Sequence, residues 1–284
     1  MNIKLKNVDY YYNKGLPNEV KALDNINLEI KEHEFIGIIG HTGSGKSTLV
    51  QLLNGLLIPD NGDVIVDGIN SKDKKKRKDI RFKVGLVFQY PENQLFEETV
   101  EKDISFGPKN KKMKDKQINE AVKKSMEIVG LDYNQYKDKS PFELSGGQQR
   151  KVAVAGIISM KPEVLVLDEL TAGLDPKARN EIFSQIISMY NNDDKLTVIL
   201  VSHSMEDVAK YVDRVIVMDD SKVYSDLSTY ETFSKVDLEK IGLDIPQITK
   251  FLKRYKSLGH DIRDDIYTIE EATDEIYKYL EARE

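Results

Sequence analysis

The spacing of apolar residues divides the chain into short strands and amphipathic helices. Alternating apolar and polar positions in residues 3–12 and 22–30 predict two half-buried strands with a turn between them. Continuous apolar runs within 35–40, 164–167 and 198–201 predict strands buried on both faces. Helical spacing follows the first run and precedes the second, in 46–57, 117–131 and 148–160. This alternation of buried strands and helices predicts an α/β fold.

The pattern changes near residue 228, and residues 230–284 predict two amphipathic helices. In the first, Pro246 suits the first helical position and Gly259 suits the end; in the second, Thr268 and Glu271 have capping-box spacing. The two apolar stripes consist of Ile248, Phe251, Leu252 and Tyr255 and of Ile269, Ala272, Ile276 and Leu280. Such stripes either pack on the chain's own core or contact another protein.

Charge and composition narrow the classes of function. The net charge of −6 argues against a general attraction to nucleic acid or anionic lipid. The basic run 72–81 is interleaved with aspartates and contains no aromatic residue for stacking on bases, so it indicates a solvated surface. No cysteine is present, which excludes disulfides and thiolate chemistry. The longest apolar runs fall short of the ~18 residues of a membrane span. We therefore expect a cytosolic protein that reaches a membrane only through partners.

A glycine-rich segment follows the buried run 35–40 and leads directly into a helical pattern. It matches G-x-x-x-x-G-K-[ST], and the strand before it and helix after it disfavour a chance match. In such a loop backbone N–H groups surround the phosphates, the lysine reaches the β- and γ-phosphates, and the final hydroxyl binds magnesium. The predicted ATP-binding residues are Gly40, His41, Thr42, Gly43, Ser44, Gly45, Lys46, Ser47 and Thr48.

Polar residues at the ends of other predicted strands complete a hydrolytic site. Asp168 would hold magnesium through water, and Glu169 would polarise the water that attacks the γ-phosphate. Gln89 can ligate magnesium and contact the same water, and His203 can hydrogen-bond the γ-phosphate. The predicted magnesium ligands are thus Ser47, Gln89 and Asp168. Taken alone, each of these residues is as readily an ordinary polar residue at a strand end.

A second glycine loop, "LSGGQ" at 144–148, opens the helical pattern 148–160. With the P-loop, Gln89, "LVLDE" and His203 in this order, residues 1 to about 228 resemble the ATP-binding-cassette (ABC) ATPases. The resemblance implies a P-loop NTPase cassette over 1–229, with a RecA-like core, an antiparallel β-subdomain and an α-helical subdomain at about 91–160. Residues 230–284 are then a small C-terminal helical extension.

The resemblance also implies a pair of cassettes arranged head to tail. Ser145, Gly146, Gly147 and Gln148 would act in trans, on ATP held by the P-loop of the partner. Asp175 matches the D-loop aspartate at the same interface. Tyr12 matches the aromatic residue that stacks on adenine, with Tyr10 and Tyr11 as alternatives because the strand register is uncertain.

The stretch "FQYPENQLFEETVEKDISFGPKN" at 88–110 resembles, more narrowly, the ATPases of energy-coupling-factor (ECF) transporters, and most of all the second ATPase of the heterodimeric pair. This implies Mg²⁺-dependent ATP hydrolysis that powers uptake of vitamins or transition metals.

The implied partners are a paralogous ATPase in a heterodimer (or an identical one in a homodimer), a transmembrane scaffold whose coupling helix lies beside the Gln89 loop, and interchangeable substrate-binding membrane subunits. The chain would be peripheral, at the cytoplasmic face of the membrane, and 230–284 would contact the partner ATPase; no nucleic acid is implied.

One departure from the family pattern concerns catalysis. Leu170 stands where family members usually have proline after the catalytic glutamate, so the turn is expected to be less rigid while hydrolysis survives. A second departure, the missing glycine in "MDDSKV", affects no catalytic residue. Two other functions share the same motifs: the ATPase of a conventional ABC importer or exporter, and a soluble ABC ATPase in DNA repair or translation. The stretch 88–110 disfavours the first, and the single cassette without heptads disfavours the second.

Overall fold

The structure, a computed structural model, describes residues 1–170 and 176–281. The strands are β1 (Ile3–Tyr12), β2 (Val20–Ile30), β3 (Phe35–Gly40), β4 (Asn61–Val66), β5 (Ile69–Asn70), β6 (Val84–Val87), β7 (Val164–Asp168), β8 (Thr197–Val201), β9 (Arg214–Asp219) and β10 (Lys222–Ser228). The helices are α1 (Lys46–Leu53), α2 (Arg77–Lys83), α3 (Val100–Asn110), α4 (Asp115–Ile128), α5 (Tyr133–Tyr136), α6 (Gly146–Ile158), α7 (Pro176–Asn191), α8 (Met205–Tyr211), α9 (Thr229–Lys235), α10 (Gln247–Ser257) and α11 (Ile269–Glu281).

The chain divides into two units. Unit 1 comprises Met1–Glu34 and Ser47–Ile199, and unit 2 comprises Phe35–Lys46 and Leu200–Glu284. The C-terminal helices thus fall in the same unit as the strand that precedes the P-loop. The boundary expected near residue 229, between a cassette and an extension, stays a prediction.

In unit 1 an antiparallel sheet has the strand order β2-β1-β4-β5. The alternation expected for β1 holds at its start, where Ile3 and Leu5 are buried and pair with Ile30 and Leu28 of β2. The register then shifts between Leu5 and Val8, and Asn7 in this bulge has a φ of 48°. Asparagine tolerates this left-handed conformation better than most residues, which explains why the simple alternation stops here.

The parallel strands β6 and β7 form the second part of unit 1. Val84 pairs with Val164 and Val87 with Leu167, and all of β6 and β7 is buried. Because the strands are parallel, the residues that follow them leave the same edge, which brings the segments containing Gln89 and Glu169 together. Helices α3, α4 and α6 also lie in this unit; α3 approaches the end of α6 so closely that a Cβ on Gly107 would lie 2.6 Å from Cγ of Met160.

In unit 2 strand β3 runs parallel to β9, and β9 pairs with β10 in an antiparallel hairpin. All six residues of β3 are buried, as expected for a strand covered on both faces. Gly37 allows close packing on α8, because a Cβ there would lie 3.1 Å from methyl groups of Val208 and Val212. The backbone N–H of Ser202 donates to Ile38 O, so the residues just beyond β8 run beside β3.

The C-terminal helices α10 and α11 share a small core of their own. Its buried members are Leu252, Ile262, Ile266 and Ala272, with Ile248, Tyr255, Ile276 and Tyr279 packed against them. The prediction for Pro246 was wrong by one position: α10 begins at Gln247 and Pro246 precedes it as the cap, because the extended ψ of 139° at Pro246 is not helical. The predicted cap of α11 is present, since Glu271 N donates to Thr268 Oγ1 at 3.3 Å.

Only part of each predicted stripe is buried in this core. Leu252 and Ala272 are buried, whereas Phe251, Ile269 and Leu280 are at least half exposed. The stripes therefore pack partly against each other, and their outer residues remain at the surface.

Candidate functional site

The P-loop of unit 2 bends around the side chain of Lys46. The ammonium donates to the carbonyl oxygens of Gly40 at 2.7 Å and His41 at 2.9 Å, and the lysine is buried. These two bonds fix the side chain of Lys46 against the beginning of its own loop. A buried ammonium is well suited to an anionic ligand.

Glycine is required by close packing at the first position of this loop. A Cβ on Gly40 would lie 2.3 Å from Met218 O of β9 and 2.5 Å from Oγ of Ser44. Gly43 and Gly45 have φ values of 86° and 101°, which side chains other than glycine rarely adopt. The Ser44 hydroxyl is buried and has no hydrogen-bond partner among residues 1–170 and 176–281. The loop thus presents a polar group that a phosphate oxygen could satisfy.

A histidine inside the loop is attached to the end of the neighbouring strand. His41 Nε2 lies 3.0 Å from Oδ1 of Asp219, the last residue of β9, and His41 Nδ1 lies 2.9 Å from Thr42 O. Each ring nitrogen faces an acceptor, and the tautomer of His41 decides which of the two donates. Asp219 was not expected from the sequence to have a role at the P-loop.

The tyrosines that end β1 lie in unit 1, and one of them contacts the P-loop helix. The hydroxyl of Tyr12 is 3.1 Å from Oγ1 of Thr48. Tyr10 packs edge-on against the Tyr12 ring, while Tyr11 has the ammonium groups of Lys14 and Lys21 over its ring. Of the three alternatives, Tyr12 is the one with a hydrogen bond to a predicted nucleotide-binding residue.

The predicted catalytic carboxylate and amide are in direct contact in unit 1. Gln89 Nε2 donates to Glu169 Oε2 at 2.6 Å. The preceding residue, Asp168, is buried at the end of β7. Glu169 has a φ of 52°, a left-handed conformation that costs a non-glycine residue of order 1 kcal/mol or more. Backbone strain of this kind is concentrated at functional sites, where the surrounding structure must hold it in place.

The second glycine loop forms the start of α6. Ser145 is the N-cap: its Oγ accepts from Gln148 N, and its own N–H donates to Gln148 Oε1 at 3.1 Å. Gly146 and Gly147 are exposed, and a Cβ on either would have no atom within 4 Å among the described neighbours. The chain's own packing therefore does not require glycine at these two positions.

One residue of α6 that sequence reasoning missed joins three parts of the site. Arg150 is buried and donates to both carboxylate oxygens of Glu92, at 3.0 and 3.2 Å, and to Leu170 O at 3.1 Å. Burial acts to raise the pKa of Glu92, but the hydrogen bonds and charge of Arg150 outweigh burial and hold that pKa below its usual value. The sequence signal was an arginine five residues after the helix cap, which by itself resembles any exposed helix residue.

The structure adds little about three predicted site residues. His203 lies just beyond β8 and is exposed. Asp175 lies outside the described residues. Ser47, in the first turn of α1, is exposed in unit 1.

Comparison with known proteins places this geometry in a family. The model of the ABC transporter family matches residues 23–172. The energy-coupling factor transporter ATP-binding protein EcfA2 of Clostridium perfringens is 55% identical over 282 residues, covering 99% of each chain. The protein of the same name from Clostridioides difficile is 51% identical over 286 residues and covers 100% of this chain and 99% of its own. The chain belongs to the energy-coupling factor transporter ATP-binding proteins.

Solved structures confirm the cassette fold of this family. CbiO1 from Clostridium perfringens, part of the ABC transporter complex CbiONQ, is 36% identical with a TM-score of 0.73, covering 91% of this chain and 97% of its own. An ATP-binding cassette solved as a dimer in a post-hydrolysis state with ADP and Pi is 31% identical with a TM-score of 0.71, covering 80% of this chain and 98% of its own. The predicted α/β P-loop cassette is therefore confirmed.

The cassette carries an open groove of about 300 Å³ in unit 1, next to the segment that follows Gln89. Phe96 and Phe106 line it with exposed rings in an edge-on contact at 4.8 Å. Small residues, Gly107, Ala153 and Gly156, lie in the same lining. No helix in 1–170 or 176–281 is long and apolar enough to cross a membrane.

Leu170, which departs from the family's usual proline, is buried in this cassette. It is 1% exposed, and its carbonyl oxygen is the acceptor for Arg150. The turn after Glu169 is therefore held by packing and by a charge-assisted hydrogen bond, without the fixed φ of a proline.

Proposed function

We propose that this chain is the ATP-hydrolysing subunit of an ECF-type importer that powers the uptake of vitamins or similar micronutrients. The observation that carries the proposal is the similarity to EcfA2 proteins, which extends at 55% identity over 99% of the chain. The similarity covers the full length, including the stretch 88–110 and the C-terminal helices. The chain would work at the cytoplasmic face of the membrane through membrane partners.

ATP binding would use the P-loop as the structure presents it. Lys46 would transfer its ammonium donors from the carbonyls of Gly40 and His41 to the β- and γ-phosphates. Ser44 Oγ and the loop N–H groups would donate to phosphate oxygens, assisted by the N-terminus of α1. Tyr12 would stack on the adenine, which is supported by its contact with Thr48.

The residues proposed as magnesium ligands suit a hard cation. Ser47, Gln89 and Asp168 offer a hydroxyl, an amide oxygen and a carboxylate, which are the oxygen donors that Mg²⁺ prefers. Gln89 directs its Nε2 to Glu169, and that orientation leaves the amide oxygen as the ligand atom. Bound there with ATP, Mg²⁺ would neutralise charge that develops on the β- and γ-phosphate oxygens.

Hydrolysis would depend on Glu169. Its carboxylate would accept a proton from the attacking water, and Gln89 would hold that carboxylate and contact the same water. His203 would donate a hydrogen bond to the γ-phosphate. The left-handed backbone of Glu169 fixes the direction in which its side chain leaves β7.

A second ATPase would complete each site. The exposed Ser145, Gly146 and Gly147 at the start of α6 would donate to the γ-phosphate on the partner's P-loop, and Asp175 would lie across the same interface. The partner would be a paralogous ATPase, with an identical chain as the alternative. The exposed residues Phe251, Ile269 and Leu280 of the C-terminal helices would contribute to the same contact.

The groove lined by Phe96 and Phe106 would receive the coupling helix of a transmembrane scaffold. Its aromatic rings and small residues suit an apolar helix that approaches closely. Substrate-binding membrane subunits would determine which micronutrient is carried.

The test is purification of the chain from its native membranes, with its companion proteins identified. We expect a second ATPase and integral membrane proteins to co-purify, and the complex to hydrolyse ATP. Glu169→Gln should lower turnover by about 10²-fold or more while ATP is still bound, because only the general base is removed. Near-normal turnover of this variant would contradict the role of Glu169, and recovery without any membrane protein would contradict the transport function.

A further inference from the structure

Arg150 connects α6 to the segments that follow Gln89 and Glu169. It lies five residues after the cap Ser145, about 7.5 Å along the helix at 1.5 Å per residue. On one side it forms a bidentate ion pair with Glu92, three residues after Gln89. On the other side it donates to the carbonyl of Leu170, the residue directly after Glu169.

The ion pair is unlike a surface salt bridge. Arg150 has 6% and Glu92 21% of the side chain exposed, so both groups have lost most of their water. Buried pairs of this kind are weak contributors to stability, since apolar residues of similar volume often serve the fold as well. The planar guanidinium, however, fixes the positions of three acceptor atoms at once.

Those acceptors belong to the two segments that must stay aligned for hydrolysis. Glu169 is held in a left-handed conformation, which persists only where the surrounding structure restrains it. The Leu170 carbonyl belongs to the residue directly after Glu169. This position lacks the proline whose ring would restrain the backbone. Arg150 supplies a restraint from α6 in its place.

We propose that Arg150 is a positioning residue for hydrolysis: it holds Gln89 and Glu169 in register and links them to the Ser145–Gly147 loop on the same helix. The proposal rests on the proposed function, since that loop is taken to meet the partner's ATP. Engagement of the loop would thus be transmitted through α6 to the chain's own catalytic pair.

The experiment compares three variants in the purified complex. Arg150→Met removes the charge and all the N–H donors of the guanidinium. Arg150→Lys keeps a charge but cannot bridge all three acceptors. Lys151→Met is the matched control. Lys151 is the next residue on α6 and pairs with the more exposed Glu181 at 3.3 Å. ATP-binding stoichiometry corrects each turnover number for the folded fraction.

We expect Arg150→Met to lower kcat by about 10- to 100-fold with KM and ATP affinity within about twofold, because misalignment affects the transition state more than binding. Arg150→Lys should recover part of the loss, and Lys151→Met should stay within twofold. Glu92→Gln should lower kcat similarly, and combining it with Arg150→Met should add little further.

Three results would overturn the proposal: unchanged kcat in Arg150→Met, a loss confined to KM, or full additivity with Glu92→Gln. A wild-type complex that binds no ATP would instead refute the proposed function, and this inference with it.

Discussion

The two glycine loops of this chain differ in what requires their glycines. At Gly40 the requirement is internal, because a Cβ would lie 2.3 Å from the backbone of β9. At Gly146 and Gly147 a Cβ would have no atom within 4 Å in the part of the chain that the structure describes. Glycine in the first turn of a helix lowers helix stability relative to alanine, so the second loop carries a cost without an internal reason. We expect the reason to lie in a group that approaches from outside.

Gly147→Asp tests the external requirement and has the largest expected effect. Aspartate in the first turn favours the helix dipole, so thermal stability should be unchanged or slightly higher. ATP turnover of the complex should nevertheless fall by about 100-fold, because bulk and negative charge oppose an approaching phosphate. Steady-state hydrolysis and thermal unfolding measure the two effects. The uncharged Gly147→Asn is the matched control and should lose less; an equal loss in stability and activity would break the contrast between the loops.

Gly40→Ala tests the internal requirement. The added methyl group must displace Met218 O or the Ser44 side chain, so the free energy of unfolding should fall by about 2 kcal/mol. ATP binding should weaken at the same time because the P-loop itself shifts. Denaturant unfolding with and without ATP measures both. A variant as stable as the wild type would contradict the internal requirement for glycine at position 40.

The sequence predicted the motif residues of both loops but not their surroundings. Gly40–Thr48, Gln89, Ser145–Gln148, Asp168 and Glu169 were recognisable because their chemistry requires fixed spacing along the chain. Arg150 contacts Glu92, which is 58 positions away in the sequence, and Asp219 contacts His41, which is 178 positions away. No local sequence pattern reveals such pairs. The left-handed backbone at Glu169 and the bulge at Asn7 are likewise set by tertiary packing.

Among the helices, α3 shows the same limitation. Its cap is present in the sequence, since Thr99 Oγ1 accepts from Lys102 N at 3.3 Å. Pro108 in its last turn locally disfavours a helix. The helix forms because Val100 and Ile104 are buried, a gain from packing that outweighs the local preference.

Leu170→Pro is the prediction with the smallest effect. Arg150 already holds the Leu170 carbonyl, and a proline carbonyl would still accept from it, so the turn gains little rigidity. Turnover should change by less than about threefold. Hydrolysis several times faster than wild type would mean that the loop after Glu169 limits the rate and that the restraint from Arg150 is weaker than proposed.

The central claim, that the two glycine loops serve different nucleotide sites, is tested most directly by equilibrium binding of Mg–ATP to the isolated full chain. Lys46→Ala should raise the Kd by about tenfold or more, because the P-loop of this chain is proposed to bind the nucleotide. Gly147→Asp should leave the Kd within about twofold of the wild type. A comparable rise in Kd for Gly147→Asp would show that both loops bind the same nucleotide and would contradict the claim.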